Sequence, residues 1–262
     1  MSATVFLGGG RITSALVAGL RRSGFRGRIV VHDRHPEKLR QLRQHYAVHT
    51  EPSVRRAVAQ AGLILVAVRP TDVLPMLAAI GPSPKGALAV SLAAGVPLRA
   101  LRRATAADAL CARAMPSPAC RYGRGLTALA FARGVPREKR HRVRRFFERT
   151  GAVIEIPERE FDAFTVVYST SQGYHALAAR IRAARRIGLS ARTAFLAAAH
   201  GLAEGVRAVA EARASLKELL AEAATPGGIA AEVLRTLRAG GYERLVERAY
   251  RAGLAHARRA AQ

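Results

Sequence analysis

The stretch "VFLGGGRITSALVAGL", residues 5–20, constrains this chain more than any other. An apolar β-type run ends in three glycines, and a helical pattern starts at once. Gly8-x-Gly10-x-x-Thr13 matches the dinucleotide fingerprint except at its third glycine. The first glycine permits the tight turn and the second lets backbone approach a pyrophosphate. The third position has only to be small for helix–strand packing, which Thr13 satisfies. A pyrophosphate would then rest on the helix N-terminus, where free N–H groups and the helix dipole favour negative charge. A second β-type run, "RIVVHD", ends at Asp33, about where a carboxylate accepts the ribose hydroxyls of NAD. Asp33 would repel the 2′-phosphate of NADP, whereas Arg34 and His35 can neutralise one. Both cofactors, NADPH and NADH, stay open at this stage.

The alternation continues for about 150 residues. "LILVAV", "ALAVSLA", "ALCARAM", "GLTALAF" and "AVIEIP" read as strands, with helical patterns at 12–23, 36–46, 54–60 and 73–80. Strand–helix alternation predicts a mostly parallel sheet covered on both faces. After Pro157 the chain turns rich in Ala, Leu, Arg and Glu, with breaks at Gly188, near Ser215, at Pro226–Gly228 and at Gly240–Gly241. The expected organisation is an α/β Rossmann-type domain over 1–157 and an all-α domain of about five helices over 158–262. Segment 191–212 is nearly apolar all round, so its helix needs more cover than one small domain offers. A helix-to-helix homodimer or higher homo-oligomer follows as an expectation.

The net charge of +25 raises the question of a polyanion partner. Yet only Lys38, Lys85, Lys139 and Lys217 are lysines among 43 basic residues, and the arginines are spread along the chain. The densest run, residues 137–151, lacks the interleaved aromatics of a base-stacking surface, so a solvated basic helix face is the better account and nucleic acid is not expected. No run of about 18 uncharged apolar residues suggests a membrane span, and the N-terminus does not read as a signal peptide. Cys111 and Cys120 read as free thiols in a reducing cytoplasm. The histidines are not joined by Asp, Glu or Cys at metal-ligand spacing, so no metal is expected.

The order of motifs resembles the pyrroline-5-carboxylate reductases, from about Val5 to about Ala257. "FLGGGRITSALVAGL" is similar to the family's opening turn and "AGLILVAVRPTDVLPMLAAI" to its second cofactor segment, with Arg69 where the family usually has Lys. "AVSLAAGVPLRAL", "ARAMPSPA" and "GYERLVERAYRAGLAHA" resemble later segments in the right order. The resemblance implies a Rossmann domain followed by an interlocked helical dimerisation domain, with hydride delivered to a cyclic imine, pyrroline-5-carboxylate first. It implies cofactor contacts by Gly8, Gly10, Arg11, Ile12, Val68, Arg69, Pro70, Ala93 and Ala94. β-Hydroxyacid dehydrogenases are similar at the front but use a helical-domain lysine, and the only lysine after Pro157 is Lys217.

The substrate half departs from the family pattern. A family Ser-Pro-Gly-Gly-Thr-Thr turn that grips the substrate carboxylate corresponds to "TPGGIA", which places Thr225, Gly227 and Gly228 at the substrate and puts Ile229 and Ala230 where threonines stand. A second family signature corresponds to "YSTSQGY", adding Ser171 and Gly173. "AMPSPA" lacks the Asn the family usually has after Met-Pro, with either Ser117 in its place or one residue deleted. Losing two hydroxyl donors weakens carboxylate binding by about 1.5–3 kcal/mol each. If a proton donor is needed, Tyr168, Tyr174 and His175 are the candidates. The remaining readings are a reductase of another imine or carbonyl compound, or a non-catalytic dinucleotide-binding protein.

Overall fold

A computed structural model describes residues 2–81, 86–105 and 109–259. Eight strands form one sheet in the order β3-β2-β1-β4-β5-β6-β7-β8. They are β1 (Ala3–Leu7), β2 (Ile29–His32), β3 (His49–Thr50), β4 (Ala61–Val66), β5 (Leu88–Ser91), β6 (Leu110–Pro116), β7 (Gly125–Phe131) and β8 (Gly151–Glu155). The crossover helices are α1 (Arg11–Arg22), α2 (Pro36–Tyr46), α3 (Val54–Val58), α4 (Pro70–Ile80), α5 (Leu98–Arg103) and α6 (Arg137–Glu148). Pairing is parallel from β3 through to β6, as the strand–helix alternation demands. β7 runs antiparallel to β6, and β8 is parallel to β7. The connector between β6 and β7 holds only a short 3-10 turn, Pro118–Tyr122. A parallel crossover takes a dozen or more residues, so this connector can only return the chain.

The middle strands are mostly buried, β1 and β5 completely. Val5, Phe6, Leu7, Ile64, Leu65, Val66 and Val90 make the sheet's contribution to the core, and Leu16, Val17 and Leu20 of α1 pack on it. α6 turns Val143, Phe146 and Phe147 inward and leaves its arginines outside. Among them Arg140 pairs with Glu155 and Arg144 with Glu148.

After Pro157 come α7 (Glu158–Val167), α8 (Thr170–Arg186), α9 (Ala191–Glu211), α10 (Leu216–Ala223), α11 (Ile229–Ala239) and α12 (Tyr242–Arg259). The breaks at Gly188, Ser215, Pro226–Gly228 and Gly240–Gly241 all separate helices. A further break at Tyr168–Ser169, with no glycine or proline to mark it, divides α7 from α8. By compactness the chain divides into Met1–Tyr168 with Ala252–Gln262, and Ser169–Arg251. The last strand ends at Glu155, whereas the compact unit containing the sheet carries on through α7 and takes in the last turns of α12.

Within the first unit, α7 lies over β7 and buries Phe161 against Ala128 and Ala130. Beneath it Arg113 of β6 is fully buried, its guanidinium carbon 4.1 Å from the Phe161 ring centre. Arg113 donates from Nη2 to Asp162 Oδ1 at 2.5 Å, and Nη1 lies 3.7 Å from Glu158 Oε1. Within the second unit, α8 packs on α9. Neither α8, α10 nor α11 buries a residue, and α9 buries only Ala194 and Ala198. Large apolar side chains stay exposed there, Val206 at 72% and Ile229 at 88%, with Phe195, Leu216 and Leu245. Among the described residues no helix is long and apolar enough to cross a membrane.

Candidate functional site

The carboxyl ends of β1, β2 and β4 meet where the strand order reverses, with β2 on one side of β1 and β4 on the other. That position is where open parallel sheets bind ligands. A cavity of about 560 Å³ lies there, a size suited to a cofactor. Gly8, Gly10 and Arg11 line it from the β1–α1 turn, Asp33, Arg34, His35 and Lys38 from the β2–α2 turn, and Val68 and Arg69 from the end of β4.

The glycine turn is built as its sequence requires. Gly8 takes φ +108°, and a Cβ on it would lie 2.6 Å from the Ala67 carbonyl oxygen. Only glycine fits between β1 and β4 at this point. Thr13 is fully buried, and its hydroxyl donates to the Gly8 carbonyl at 2.5 Å. The missing third glycine is therefore replaced by a side chain that ties α1 back to the turn. Gly10 is the N-cap of α1 and supplies no side-chain cap, and nothing lies within 4 Å of where its Cβ would be. The first N–H groups of a helix have no partner inside it, so a bare, open N-terminus of this kind suits a pyrophosphate. The residues present thus fit a dinucleotide.

Asp33 holds a more committed position than its place in the sequence suggests. Its side chain is 8% exposed. Oδ2 accepts from the Gly9 N–H at 2.7 Å, and Oδ1 accepts from the His35 N–H at 2.8 Å. His35 Nδ1 lies 2.8 Å from Oδ1, and Lys38 Nζ lies 3.7 Å from Oδ2. Burial alone would push the carboxyl up. The hydrogen bonds from Gly9 and His35, with the Lys38 charge, outweigh it and hold Asp33 below its ordinary value.

Of the other expected cofactor contacts, Ile12, Pro70, Ala93 and Ala94 are not part of the cavity lining. Ile12 is the second residue of α1, and Pro70 opens α4. Ala93 follows β5, its N–H bonded to Ser91 Oγ at 3.3 Å. Lys38 and Asp72, which sequence reasoning passed over, do line the cavity. Lys38 carried a usable signal, since it falls in the first turn of the helix that follows Asp33.

The expected catalytic and substrate residues divide between the two units. Tyr168 closes α7 in the first unit, where its hydroxyl oxygen accepts from the Leu126 N–H at 2.7 Å and its ring lies 4.9 Å from Phe164. Tyr174 and His175 are exposed on α8 of the second unit. Gly173 lies inside the same helix with open space around it, and Ser171 Oγ pairs with Ser169 Oγ at 2.7 Å. The "TPGG" turn joins α10 to α11. Gly227 takes φ +78°, the Thr225 carbonyl accepts from the Gly228 N–H at 3.0 Å, and Gly228 caps α11 without a side chain. Among the described residues no group of three His, Cys, Asp or Glu is placed to hold a metal.

Two family models match. One, described as NADP oxidoreductase, coenzyme F420-dependent, spans residues 4–95, and one described as pyrroline-5-carboxylate reductase dimerisation spans 158–260. A pyrroline-5-carboxylate reductase of Mycobacterium leprae is 32% identical over 96% of this chain and 94% of its own length. The Escherichia coli protein of that name is 29% identical over 92% of this chain and 91% of its own. Among solved structures, the Plasmodium falciparum pyrroline carboxylate reductase with NADP bound superposes with a TM-score of 0.91 at 20% identity, covering 100% of this chain and 98% of that one. The Coxiella burnetii pyrroline-5-carboxylate reductase gives a TM-score of 0.87 at 24% identity, covering 100% of this chain and 99% of that one. These two share the fold. With the identity to the mycobacterial relative running through both the glycine-turn sheet and the helices after it, the chain belongs to the pyrroline-5-carboxylate reductase family.

Proposed function

We propose that the chain is an NAD(P)H-dependent reductase that transfers hydride to the C=N carbon of a cyclic imine. Pyrroline-5-carboxylate, reduced to proline, is the lead substrate. The observation that carries this is full-length likeness to reductases of that name, supported by a cavity at the carboxyl ends of β1, β2 and β4 lined by Gly8, Gly10 and Arg11. The free N–H groups of α1 and the bare Gly8–Gly10 backbone hold the pyrophosphate. Val68, Arg69 and Pro70 flank the cofactor from the end of β4, and Ala93 and Ala94 from the end of β5. When bound, the reduced nicotinamide supplies the hydride.

Little acid–base work is left for the protein. A protonated imine accepts hydride directly, so the chain's task is to hold two reactants in line and exclude water. Tyr168, Tyr174 and His175 are the groups available to move a proton. Tyr168 spends acceptor capacity on Leu126 but keeps its phenolic proton. Ser171, Gly173, Thr225, Gly227 and Gly228 form the substrate's side of the site, contributed by the partner subunit of a homodimer or higher homo-oligomer. The exposed apolar residues of α9 and α11 support such an assembly, since a monomer rarely leaves that much apolar surface open. Two buried free thiols suit a reducing cytoplasm.

The test is loss of reduced-nicotinamide absorbance with pyrroline-5-carboxylate, compared with pyrroline lacking the carboxylate. Consumption with the first is expected. Cofactor binding with no turnover of either would leave a non-catalytic homologue. A specific observation favours a second reading, an imine without a carboxylate: Ile229, 88% exposed, opens α11 beside Ala230, and neither has a hydroxyl to offer an anion. On the lead reading, Ile229→Thr with Ala230→Thr raises kcat/KM for the carboxylate substrate. Unchanged kinetics in a folded double variant would tell against the TPGG turn as the carboxylate's seat.

A further inference from the structure

We propose that Glu158 is a positioning residue for hydride transfer. Its carboxylate, set by the buried Arg113, fixes the β5–α5 loop, residues 92–97. This rests on the reductase reading above, in which Ala93 and Ala94 of that loop flank the cofactor.

The loop starts one strand away from the cavity wall. Ser91 of β5 lies opposite Val66 of β4, and the Leu92 N–H donates to the Val66 carbonyl at 2.9 Å. The residues that follow Val66, namely Ala67, Val68 and Arg69, line the cavity. Three contacts then set the loop's course. Ser91 Oγ accepts from the Ala93 N–H at 3.3 Å. Gly95 takes φ +74°, and a Cβ there would lie 2.5 Å from the Ala257 carbonyl oxygen, so the loop is pressed against the last turns of α12 in the same compact unit. Glu158 Oε1 accepts from the Leu98 N–H at 2.5 Å, where α5 begins.

The third contact is needed because α5 has no cap of its own. A helix leaves its first N–H groups without partners inside it, and a buried one must find an acceptor elsewhere. Pro97, the N-cap of α5, offers none from its side chain, and Leu98 is buried. The acceptor comes from 60 residues further along the chain. Arg113 explains why that carboxylate stays in place. The guanidinium stacks on Phe161 and holds Asp162 through Nη2. Its Nη1 lies 3.7 Å from the same Glu158 oxygen that meets Leu98. Glu158 is 37% exposed, and the buried charge beneath it restrains a side chain that would otherwise sample several rotamers in water.

On the reductase reading the pyrophosphate rests on the β1–α1 turn, which shares none of these contacts. A shift of the 92–97 loop would therefore move the nicotinamide and leave the adenosine half alone. Hydride transfer is sensitive to such a shift, since misplacement by about 1 Å can cost about a hundredfold in rate.

Two variants of the full chain separate reach from charge. Glu158→Asp keeps the charge beside Arg113 but draws it back from Leu98 by one methylene. Glu158→Gln keeps the reach and an acceptor oxygen but loses the charge. The first measurement is kcat with pyrroline-5-carboxylate at saturating cofactor, well below each variant's Tm. The second is calorimetric binding of NADH against ADP-ribose and of NADPH against 2′-phospho-ADP-ribose, each pair differing only at the nicotinamide. Glu158→Asp is expected to lower kcat about tenfold or more. It weakens the reduced cofactor about three- to tenfold and leaves the ADP-ribose compounds within about twofold. Glu158→Gln stays within about threefold of wild type throughout.

A folded Glu158→Asp variant with wild-type kcat and cofactor binding overturns the proposal. So does an impaired Glu158→Gln beside a normal Glu158→Asp, which would leave Glu158 only a charge partner for Arg113. Equal weakening of a cofactor and its ADP-ribose fragment overturns it too, as a general loosening of the fold. Should Glu158→Gln not fold, Glu158→Asp decides by itself, because it keeps the charge that Arg113 needs. Wild-type protein that binds cofactor but reduces no imine would sink the reductase reading, while the binding comparison would still judge Glu158.

Discussion

Arg113 and its two carboxylates allow a test in which the direction of the effect runs against intuition. The guanidinium is fully buried, and among the described residues neither Nε nor Nη1 has a hydrogen-bond partner. Asp162 and Glu158 keep 26% and 37% of their side-chain surface in water. The cation is therefore the costly member, and the anions can be resolvated if it is removed. Asp162→Asn keeps shape and one acceptor but strips the nearer of the two charges that offset Arg113, leaving Glu158 at 3.7 Å. Breaking a buried pair from one side costs about 3–5 kcal/mol, and partial exposure of Asp162 places this case near 3. Arg113→Met removes the buried charge itself and fills similar space. It forfeits the stacking on Phe161, worth about 1 kcal/mol, and regains the desolvation of the guanidinium. At roughly 2–4 °C per kcal/mol for a chain of this size, Asp162→Asn should lower Tm by about 6–12 °C and Arg113→Met by about 2–4 °C. The assay is thermal unfolding at one fixed protein concentration, because an oligomer's Tm depends on it. A larger drop for Arg113→Met than for Asp162→Asn would refute the reasoning.

Gly8→Ala should abolish cofactor binding and cost about 1–3 kcal/mol, since it combines φ +108° with a Cβ 2.6 Å from the Ala67 carbonyl; a thermal melt with and without cofactor reads both effects. The Asp33 carboxyl is held below its ordinary 3.8, so its bonds add stability that is present above that value and lost as pH falls through the folded one. Urea midpoints of wild type and Asp33→Asn should therefore converge below about pH 4 and separate at pH 7, with the wild type higher. Burial pushes the Cys120 thiol up to about 12 against the pull of Arg121, so thiol reagents at pH 8 should label it only on unfolding; rapid labelling of the native protein would contradict the placement.

Much of the fold was legible because its signals are local. The strand–glycine–helix opening, the run ending at Asp33 and the breaks at Gly188 and Pro226–Gly228 each announce themselves within a few residues. The reversed β7 was also within reach, since residues 117–124 are too few for a crossover. What stayed hidden depends on contacts between distant positions. Asp33 reaches Gly9 across 24 residues and Arg113 reaches Asp162 across 49, and no periodicity encodes either. Thr13 looked like a weakened fingerprint because a consensus counts glycines, whereas the turn needs only a small group that can also bond the Gly8 carbonyl. The break at Tyr168–Ser169 carries no glycine or proline, only Ser169 as the N-cap of α8, a weaker mark.

The two rims of the sheet differ in sequence but share a property. β3 is only two residues long, and β8 ends at Glu155, which is held by Arg140. A short rim and a charged one both discourage a neighbouring molecule from adding its own strand, the usual route by which an eight-stranded layer grows into fibres. Either kind of edge disfavours self-association through the backbone ladder.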